Sequence, residues 1–137
     1  MMKEQLDMLL RFHKVYGHTI GSSPQMISAK DSELRLRLHR EEAVVEYNEA
    51  IINDNIIKVF DSCLDGLYVI YGTLISHGLH HIAEEGFAEV HRSNMTKVWP
   101  DGTIHKDSGG KTIKPPNFAP PDLGAIIARG SPDNGNV

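Results

Sequence analysis

Two short acidic segments contain the residues with the clearest capacity for chemistry. Glu42, Glu46 and Glu49 recur at intervals of four and three residues, which places them on one face of a helix. Asp61 and Asp65 recur at an interval of four in a segment that is otherwise apolar. Like charges at this interval destabilise a helix, and buried carboxylates need a partner. A hard divalent cation such as Mg²⁺ is a suitable partner, because it takes oxygen ligands and is often shared with a substrate's phosphates. The alternative is a solvated acidic face.

The elements that would position these acids are helices. Apolar spacing predicts four of them, and all but one of the seven prolines lie at position 100 or later. Ser28 and Asn55 are predicted N-terminal caps, and Gly17 and Gly78 are predicted stops. The second and third helices, joined by a short Asn-Asp turn, would face the two acidic pairs toward each other. Cys63 lies on an apolar stripe and is predicted to be in the core. The predicted helices span about residues 3–15, 29–52, 55–76 and 83–96.

The amino-acid composition changes near Trp99, after which prolines and glycines are frequent. Two turn signals flank short β-capable pieces, which predicts a small hairpin or an ordered arm. We therefore expect a helical catalytic domain over 1–98. The arm over 99–137 would belong to the same domain, with a frayed end over 131–137.

Composition limits the class of protein. The 137 residues suffice for one domain, and 40% apolar with 23% charged residues is ordinary for a globular protein. A net charge of −4 argues against a nucleic-acid polymer as partner. The single cysteine excludes an intramolecular disulfide and fits a reducing compartment. Without a recognisable signal peptide or membrane span, we expect a cytoplasmic protein.

Residues Arg40 to Gly72 (REEAVVEYNEAI, then DSCLDGLYVIYG) resemble the all-α nucleoside triphosphate pyrophosphohydrolases. These are the MazG, dimeric dUTPase and phosphoribosyl-ATP pyrophosphohydrolase-like proteins, with a Glu-Glu-x-x-Glu helix followed by a Glu-x-x-Asp helix. The segment EVHRSNMTK (Glu89 to Lys97) resembles one MazG-like branch, in which a Gly- and Lys-containing arm and a Pro-Pro-Asp element follow. The resemblance covers roughly residues 30 to 123. It implies an all-α, four-helix MazG-like bundle with a C-terminal arm.

The acidic signature is displaced in this chain. When it is aligned on Glu46, an acid is expected at position 43, where Ala43 stands. When it is aligned on Asp65, a glutamate is expected at position 62, where Ser62 stands. The acids present lie one residue earlier in both helices. The resemblance therefore implies the metal ligands Glu42, Glu46, Asp61 and Asp65, of which the second and the last match best.

The implied reaction is attack of water at the α-phosphorus of a (deoxy)nucleoside triphosphate, releasing pyrophosphate and a nucleoside monophosphate. Mg²⁺ is the implied cofactor, with Mn²⁺ able to substitute. Glu46 is a predicted catalytic residue, and Glu49 is either a replacement ligand or the base. Lysines would steady the phosphates, and a tyrosine would border the base or pack in the core. The predicted substrate-binding residues are Tyr68, His91, Ser93, Asn94, Lys97, Lys111 and Lys114.

Members of these families assemble as dimers or tetramers, so a homo-oligomer is expected here, in a bacterial or phage-infected cell by analogy. Two other functions stay open. The displaced acids would also suit a non-catalytic nucleotide-binding subunit that has lost a ligand. The third possibility is a hydrolase of phosphoribosyl-ATP or another nucleotide conjugate. The preferred base and sugar are not readable from the sequence.

Overall fold

A computed structural model describes residues 2–130 of the chain. Within that range the regular structure is helical, apart from one isolated antiparallel bridge, which confirms the predicted all-α class. The chain divides between His81 and Ile82 into two compact units. The predicted grouping of 1–98 with a C-terminal arm stays a prediction, and its frayed end lies outside the described residues. The first unit contains α1 (Lys3–Tyr16), α2 (Ala29–Arg40), a π-turn (Glu41–Val45), α3 (Glu46–Ile52) and α4 (Ile56–Ser76).

The helix ends of the first unit lie where their capping residues predict. The Ser28 hydroxyl oxygen accepts the backbone N–H of Asp31 at 3.1 Å, at the start of α2. The Asn55 side-chain oxygen accepts the backbone N–H of Lys58 at 3.1 Å, at the start of α4. Gly17 ends α1 with a left-handed φ of 71°, which a glycine adopts without steric cost. The predicted caps are therefore confirmed.

The longest helix, α4, packs against α1, α2, the π-turn and α3. Small residues form much of its buried side, and they allow close approach of the neighbouring helices. A Cβ atom at Gly66 would lie 3.4 Å from the Cβ of Ala43 in the π-turn. The pairing of α4 with the α2–π-turn–α3 segment is therefore tight at this level. The buried residues of α4 are Ser62, Gly66, Val69, Gly72, Ile75 and Ser76.

The opposite side of α4 is apolar but exposed. Phe60, Leu64 and Leu67 all lie on it, with Phe60 65% exposed. The prediction that Cys63 belongs to the core is wrong, because this residue lies on the exposed side of α4. The wide apolar stripe thus predicted burial that residues 2–130 do not provide.

The second unit contains α5 (Ala83–Asn94) and α6 (Leu123–Gly130), which pack against each other. Helix α6 was not expected from the sequence, although the Asp122 carboxylate accepts the backbone N–H of Ala125 at its start. Between the two helices the chain forms turns and a single bridge that joins Lys106 to Thr112, rather than a hairpin of two strands. Within residues 2–130 no helix combines the length and the apolar character needed to cross a bilayer.

Candidate metal and active site

The π-turn places the acidic residues of the first unit. The backbone N–H of Glu46 donates to the carbonyl of Glu41, five residues earlier, so this turn contains one more residue than an α-helical turn. The acidic doublet of the family signature lies one residue earlier in this chain than alignment on Glu46 requires. The longer turn accommodates that extra residue and keeps Glu42 on the same side as Glu46. One extra residue between the acidic doublet and Glu46 thus explains both the displaced spacing in the sequence and the π-turn in the structure.

Three of the four predicted metal ligands come together. One carboxylate oxygen from each of Glu42, Glu46 and Asp65 lies within 4.8 Å of the other two. Two of these residues are supplied by the π-turn and α3, and the third by α4, which runs beside them. Three carboxylates at this spacing could hold a divalent cation through oxygen ligands.

The electrostatics of the cluster favour a cation. Partial burial raises the pKa of Glu42 above its usual value, and the neighbouring charges of Glu46 and Asp65 raise it further. Like charges this close repel one another, and that repulsion is relieved when a positive ion lies between them. The donor set of three carboxylates therefore fits a hard cation such as Mg²⁺.

Asp61, the fourth predicted ligand, is not brought to the cluster. Its carboxylate accepts a hydrogen bond from the ammonium group of Lys58 at 3.0 Å, on the exposed surface of α4. Ser62 lies on the buried side instead, where its hydroxyl donates to the carbonyl of Val59 at 3.0 Å. The helix thus turns position 62 toward its neighbours and position 61 toward solvent. A ligand role for Asp61 stays a prediction.

Next to Glu46, at the turn between α3 and α4, lies a groove of about 290 Å³. Glu49 lines this groove and is not a member of the three-carboxylate cluster. Lys58 lines it too, and its pKa is raised mainly by the hydrogen bond and charge of Asp61, with smaller contributions from the charges of Glu46 and Asp65. Lys58 was not predicted from the sequence as a cation of this groove, although its i,i+3 spacing from Asp61 was the available signal.

Tyr68 lies in the first unit, and its ring packs edge-on against Phe12 with centroids 5.3 Å apart. It is 41% exposed, so part of the ring contacts α1 and part faces solvent. The other predicted substrate-binding residues lie in the second unit.

In the second unit, Ser93 is 2% exposed, and its hydroxyl donates to the carbonyl of Ala119 at 2.8 Å. That hydroxyl fastens the proline-rich segment to α5, and a substrate-binding role for Ser93 stays a prediction. The ammonium group of Lys114 lies 4.8 Å above the ring of Phe118. The remaining predicted substrate contacts are half-buried or exposed: His91, Asn94, Lys97 and Lys111.

A charge-assisted contact joins α5 to the start of α6. The carboxylate of Glu89 accepts two hydrogen bonds from the guanidinium of Arg92, at 2.7 and 2.8 Å. It also accepts the backbone N–H of Asp122 at 2.8 Å. These donors lower the pKa of Glu89 to about 2. The motif that contains Glu89 therefore has an architectural role in linking the two helices.

Comparison with known families agrees with this geometry. The sequence pattern of the phosphoribosyl-ATP pyrophosphohydrolase family matches residues 9–94, which is more than half of the chain. The chain belongs to this family. Membership confirms the resemblance noted from the acidic signature and identifies the protein as a pyrophosphohydrolase that acts on a nucleotide-like substrate. A search of curated proteins finds no match.

The matched range includes the whole acidic cluster and ends at Asn94, so it leaves out the lysines of the arm. The family assignment thus rests on the helices that carry the carboxylates.

Proposed function

We propose that the protein is a Mg²⁺-dependent (deoxy)nucleoside triphosphate pyrophosphohydrolase that releases pyrophosphate and a nucleoside monophosphate, and that Mn²⁺ substitutes for Mg²⁺. The observation that carries the proposal is the convergence of Glu42, Glu46 and Asp65 within 4.8 Å, in a chain of a pyrophosphohydrolase family. Phosphates need a cation to approach such an acidic surface, and a carboxylate-bound divalent ion is the usual solution.

The three carboxylates would hold the cation, which when bound neutralises phosphate charge and lowers the pKa of a coordinated water. Glu49 is outside the cluster but on the adjoining groove. Its carboxylate accepts the proton of the attacking water as general base. The water oxygen bonds to the α-phosphorus, the bond to the bridging oxygen breaks, and pyrophosphate leaves. Lys58, which lines the same groove, offers positive charge to the phosphates.

The test is a panel of nucleoside triphosphates incubated with Mg²⁺ or Mn²⁺, with pyrophosphate and orthophosphate measured separately. Glu46→Gln and Asp65→Asn should reduce pyrophosphate release by at least about a hundredfold, while helical circular dichroism is unchanged. Glu41→Gln is the matched control, because Glu41 is exposed and is not a member of the cluster. Its Oε1 atom lies 4.0 Å from Nε of Arg37 instead. Orthophosphate as the product, or full activity of both cluster variants, would contradict the proposal.

A second candidate is hydrolysis of phosphoribosyl-ATP, the substrate that gives the matching family its name. The acidic cluster would serve that reaction equally well, since both substrates present a pyrophosphate bond. Activity on the conjugate with none on free triphosphates would favour it. A chain that binds nucleotides and turns over neither substrate would instead be a non-catalytic subunit.

The exposed apolar side of α4 supports the proposal that the protein is a homo-oligomer. Phe60, Leu64 and Leu67 form a stripe that a second copy of the chain would cover. Light scattering after size-exclusion chromatography should give a dimer or tetramer, and Leu64→Glu should dissociate it. A wild-type monomer at micromolar concentration would contradict this.

A further inference from the structure

A buried cluster of basic side chains lies where α1 and α2 pack against α4. His13 of α1 is 1% exposed and Arg35 of α2 is 7% exposed. A Cβ atom at Gly72 would lie 2.9 Å from His13 Nε2 and 2.7 Å from Arg35 Nη1. Both nitrogens therefore occupy the space that the glycine leaves open on α4. The missing side chain thus brings an imidazole and a guanidinium together inside the first unit.

The hydrogen bonding of His13 is that of a neutral ring. Its Nδ1 lies 2.9 Å from the carbonyl oxygen of Thr19, and a carbonyl only accepts, so Nδ1 carries the proton. Nε2, the other ring nitrogen, is the one that lies near the charged guanidinium of Arg35. A second proton would bind at Nε2 and place two positive charges close together in a buried setting.

His18 and His80 extend the cluster on either side of His13. The ring of His18 lies 5.3 Å from that of His13, centroid to centroid. His80 follows α4 and packs against His81 with centroids 3.9 Å apart. Within residues 2–130 the buried Nδ1 of His80 has no hydrogen-bond partner. Protonation of that ring would therefore bury a charge while one of its N–H groups lacks an acceptor.

The surroundings of His13 and His80 disfavour protonation. Burial lowers the pKa of His13 below its usual value, near 6.5, and the charges of Arg35 and His18 lower it further. The bond to the Thr19 carbonyl acts in the opposite direction and does not outweigh burial. Burial also lowers the pKa of His80, with smaller contributions from the neighbouring imidazoles. Within residues 2–130 no carboxylate is among the groups that shift these two pKa values.

Asp31 is the carboxylate whose charge acts on Arg35. It accepts the hydroxyl of Thr19 at 2.7 Å, and its backbone N–H donates to the Ser28 hydroxyl at 3.1 Å. Its negative charge therefore offsets that of the guanidinium and leaves the imidazoles uncompensated.

The same interface holds residues 17–25 against the end of α4. The Thr19 carbonyl that accepts from His13 also accepts the hydroxyl of Ser76 at 3.2 Å. Two residues later, the backbone N–H of Gly21 donates to the carbonyl of Ile75 at 2.9 Å. Displacement of His13 would therefore break its bond to Thr19 and loosen the bonds next to it.

We propose that His13, Arg35 and His80 form a proton-sensitive contact that loosens the packing of α1, α2 and residues 17–25 on α4 in mild acid. In the open form the imidazoles are in water and away from the guanidinium, so they bind protons more tightly there. Below about pH 6.5 the open form takes up protons that the closed form does not, and opening becomes more favourable as the pH falls.

Opening of this contact would affect the carboxylate cluster. Helix α2 continues through the π-turn to Glu42 and Glu46, whereas Asp65 lies on α4. Loss of the packing between α2 and α4 would therefore separate the three carboxylates and weaken cation binding. The inference concerns the packing of the first unit and does not depend on the substrate.

Hydrogen exchange of the Gly21 amide tests the proposal in the full chain, by NMR between pH 7 and pH 5 with EDTA present. After correction for the intrinsic exchange rate, protection in wild type should fall at least about tenfold over this range. His13→Asn keeps a side-chain N–H for the Thr19 carbonyl but cannot titrate, so its fall should be at least about threefold smaller. His91→Gln is the matched control, because His91 is exposed and belongs to the second unit, and it should respond like wild type.

Arg35→Met separates charge repulsion from burial alone. Loss of the guanidinium raises the pKa of His13 and should reduce the pH response of the Gly21 amide. Arg37→Met, which changes an exposed arginine of the same helix, should keep that response. Constant protection of the Gly21 amide down to pH 5 in wild type, or an equal fall in His13→Asn, would overturn the proposal.

The imidazole signals of wild type give a second measurement, which decides the matter if either variant fails to fold. The ring of His13 should remain neutral in the folded protein at pH 6, because its pKa is lowered. A His13 ring that is mostly protonated at pH 6 in a fully folded protein would overturn the proposal.

Discussion

Ser62 donates its hydroxyl to the carbonyl of Val59 at 3.0 Å and is 2% exposed, while Asp61 beside it is paired with Lys58 at the surface. The helical family signature has a glutamate at the position of Ser62. Since successive residues of a helix point about 100° apart, Asp61 does not take the direction of that missing side chain. The cluster therefore lacks the carboxylate that the signature places at position 62, and Asp61 does not replace it.

Substitution of Asp61 should therefore have little effect on metal binding. In a Mn²⁺ titration, Asp61→Asn should bind within about twofold of wild type, because Asp61 is outside the three-carboxylate cluster. Asp65→Asn, the matched change one turn later, should weaken binding at least about tenfold, since it removes one of three ligands. If Asp61→Asn binds Mn²⁺ more weakly than Asp65→Asn does, Asp61 is a ligand in the metal-bound protein.

Removal of one residue from the π-turn should leave the first unit folded. Deletion of Val44 restores the Glu-Glu-x-x-Glu spacing, and because the longer turn absorbs one extra residue, an ordinary α-helical turn in the shortened chain keeps α2 and α3 in register with α4. The bond from His39 to Thr73, worth about 1 kcal/mol, should therefore be retained. Val44→Ala, which keeps the residue count at an exposed position, is the control, and the two variants should melt at similar temperatures. A much lower melting temperature of the deletion variant alone would show that α2 rotates when the turn is shortened.

The sequence was sufficient for the helices whose ends have caps. Ser28, Asn55 and Gly17 each make a local interaction that their residue type specifies, so the helix boundaries follow from a few neighbouring residues. Glu46 and Asp65 were predictable because a recurring acidic spacing identifies them. Residues that depend on partners far away along the chain were not predictable in this way.

The π-turn shows why part of the site was missed. An extra residue in the Glu41–Val45 segment is visible in the sequence only as a displaced signature, and α-helical periodicity gives no account of it. Arg35 and His13 are 22 positions apart, and the space that both occupy exists because Gly72, from a third helix, has no side chain. Helix α6 was not predicted because the surrounding prolines and glycines indicate turns, and a single capping aspartate is a weak signal for a helix.

Gly78 should be intolerant of a side chain. It has a φ of 69°, and an added Cβ atom would lie 2.1 Å from the carbonyl oxygen of Ser23. Gly17 has a φ of 71° with nothing within 4 Å, so Gly17→Ala measures backbone strain alone, about 1 kcal/mol. Gly78→Ala should lose clearly more free energy of unfolding in urea titrations. Equal losses for the two variants would mean that the 21–25 loop moves away without cost.

The contact between Glu89 and the start of α6 should be sensitive to acid. The pKa of Glu89 is lowered to about 2 by Arg92 and by the backbone N–H of Asp122. A carboxyl group whose pKa is lower in the folded state stabilises it fully above the unfolded value, near 4.5, and loses that contribution as pH falls through about 2. The second unit should therefore lose stability between about pH 4.5 and pH 2, because the unfolded chain binds the proton first.

Hydrogen exchange at the Asp122 amide, followed by NMR across this range, measures the effect directly. After correction for the intrinsic exchange rate, protection of that amide should decrease as pH falls in wild type. Glu89→Gln should show less protection at pH 6 and a smaller further decrease down to pH 2, since the carboxylate that accepts the Asp122 amide is gone while those of Glu85 and Asp122 remain. Glu85 provides the matched control: it pairs with Arg129 on the same two helices, so Glu85→Gln leaves Glu89 and its donors in place. Loss of the pH response in Glu85→Gln as well would assign the acid sensitivity to the whole α5–α6 contact rather than to Glu89.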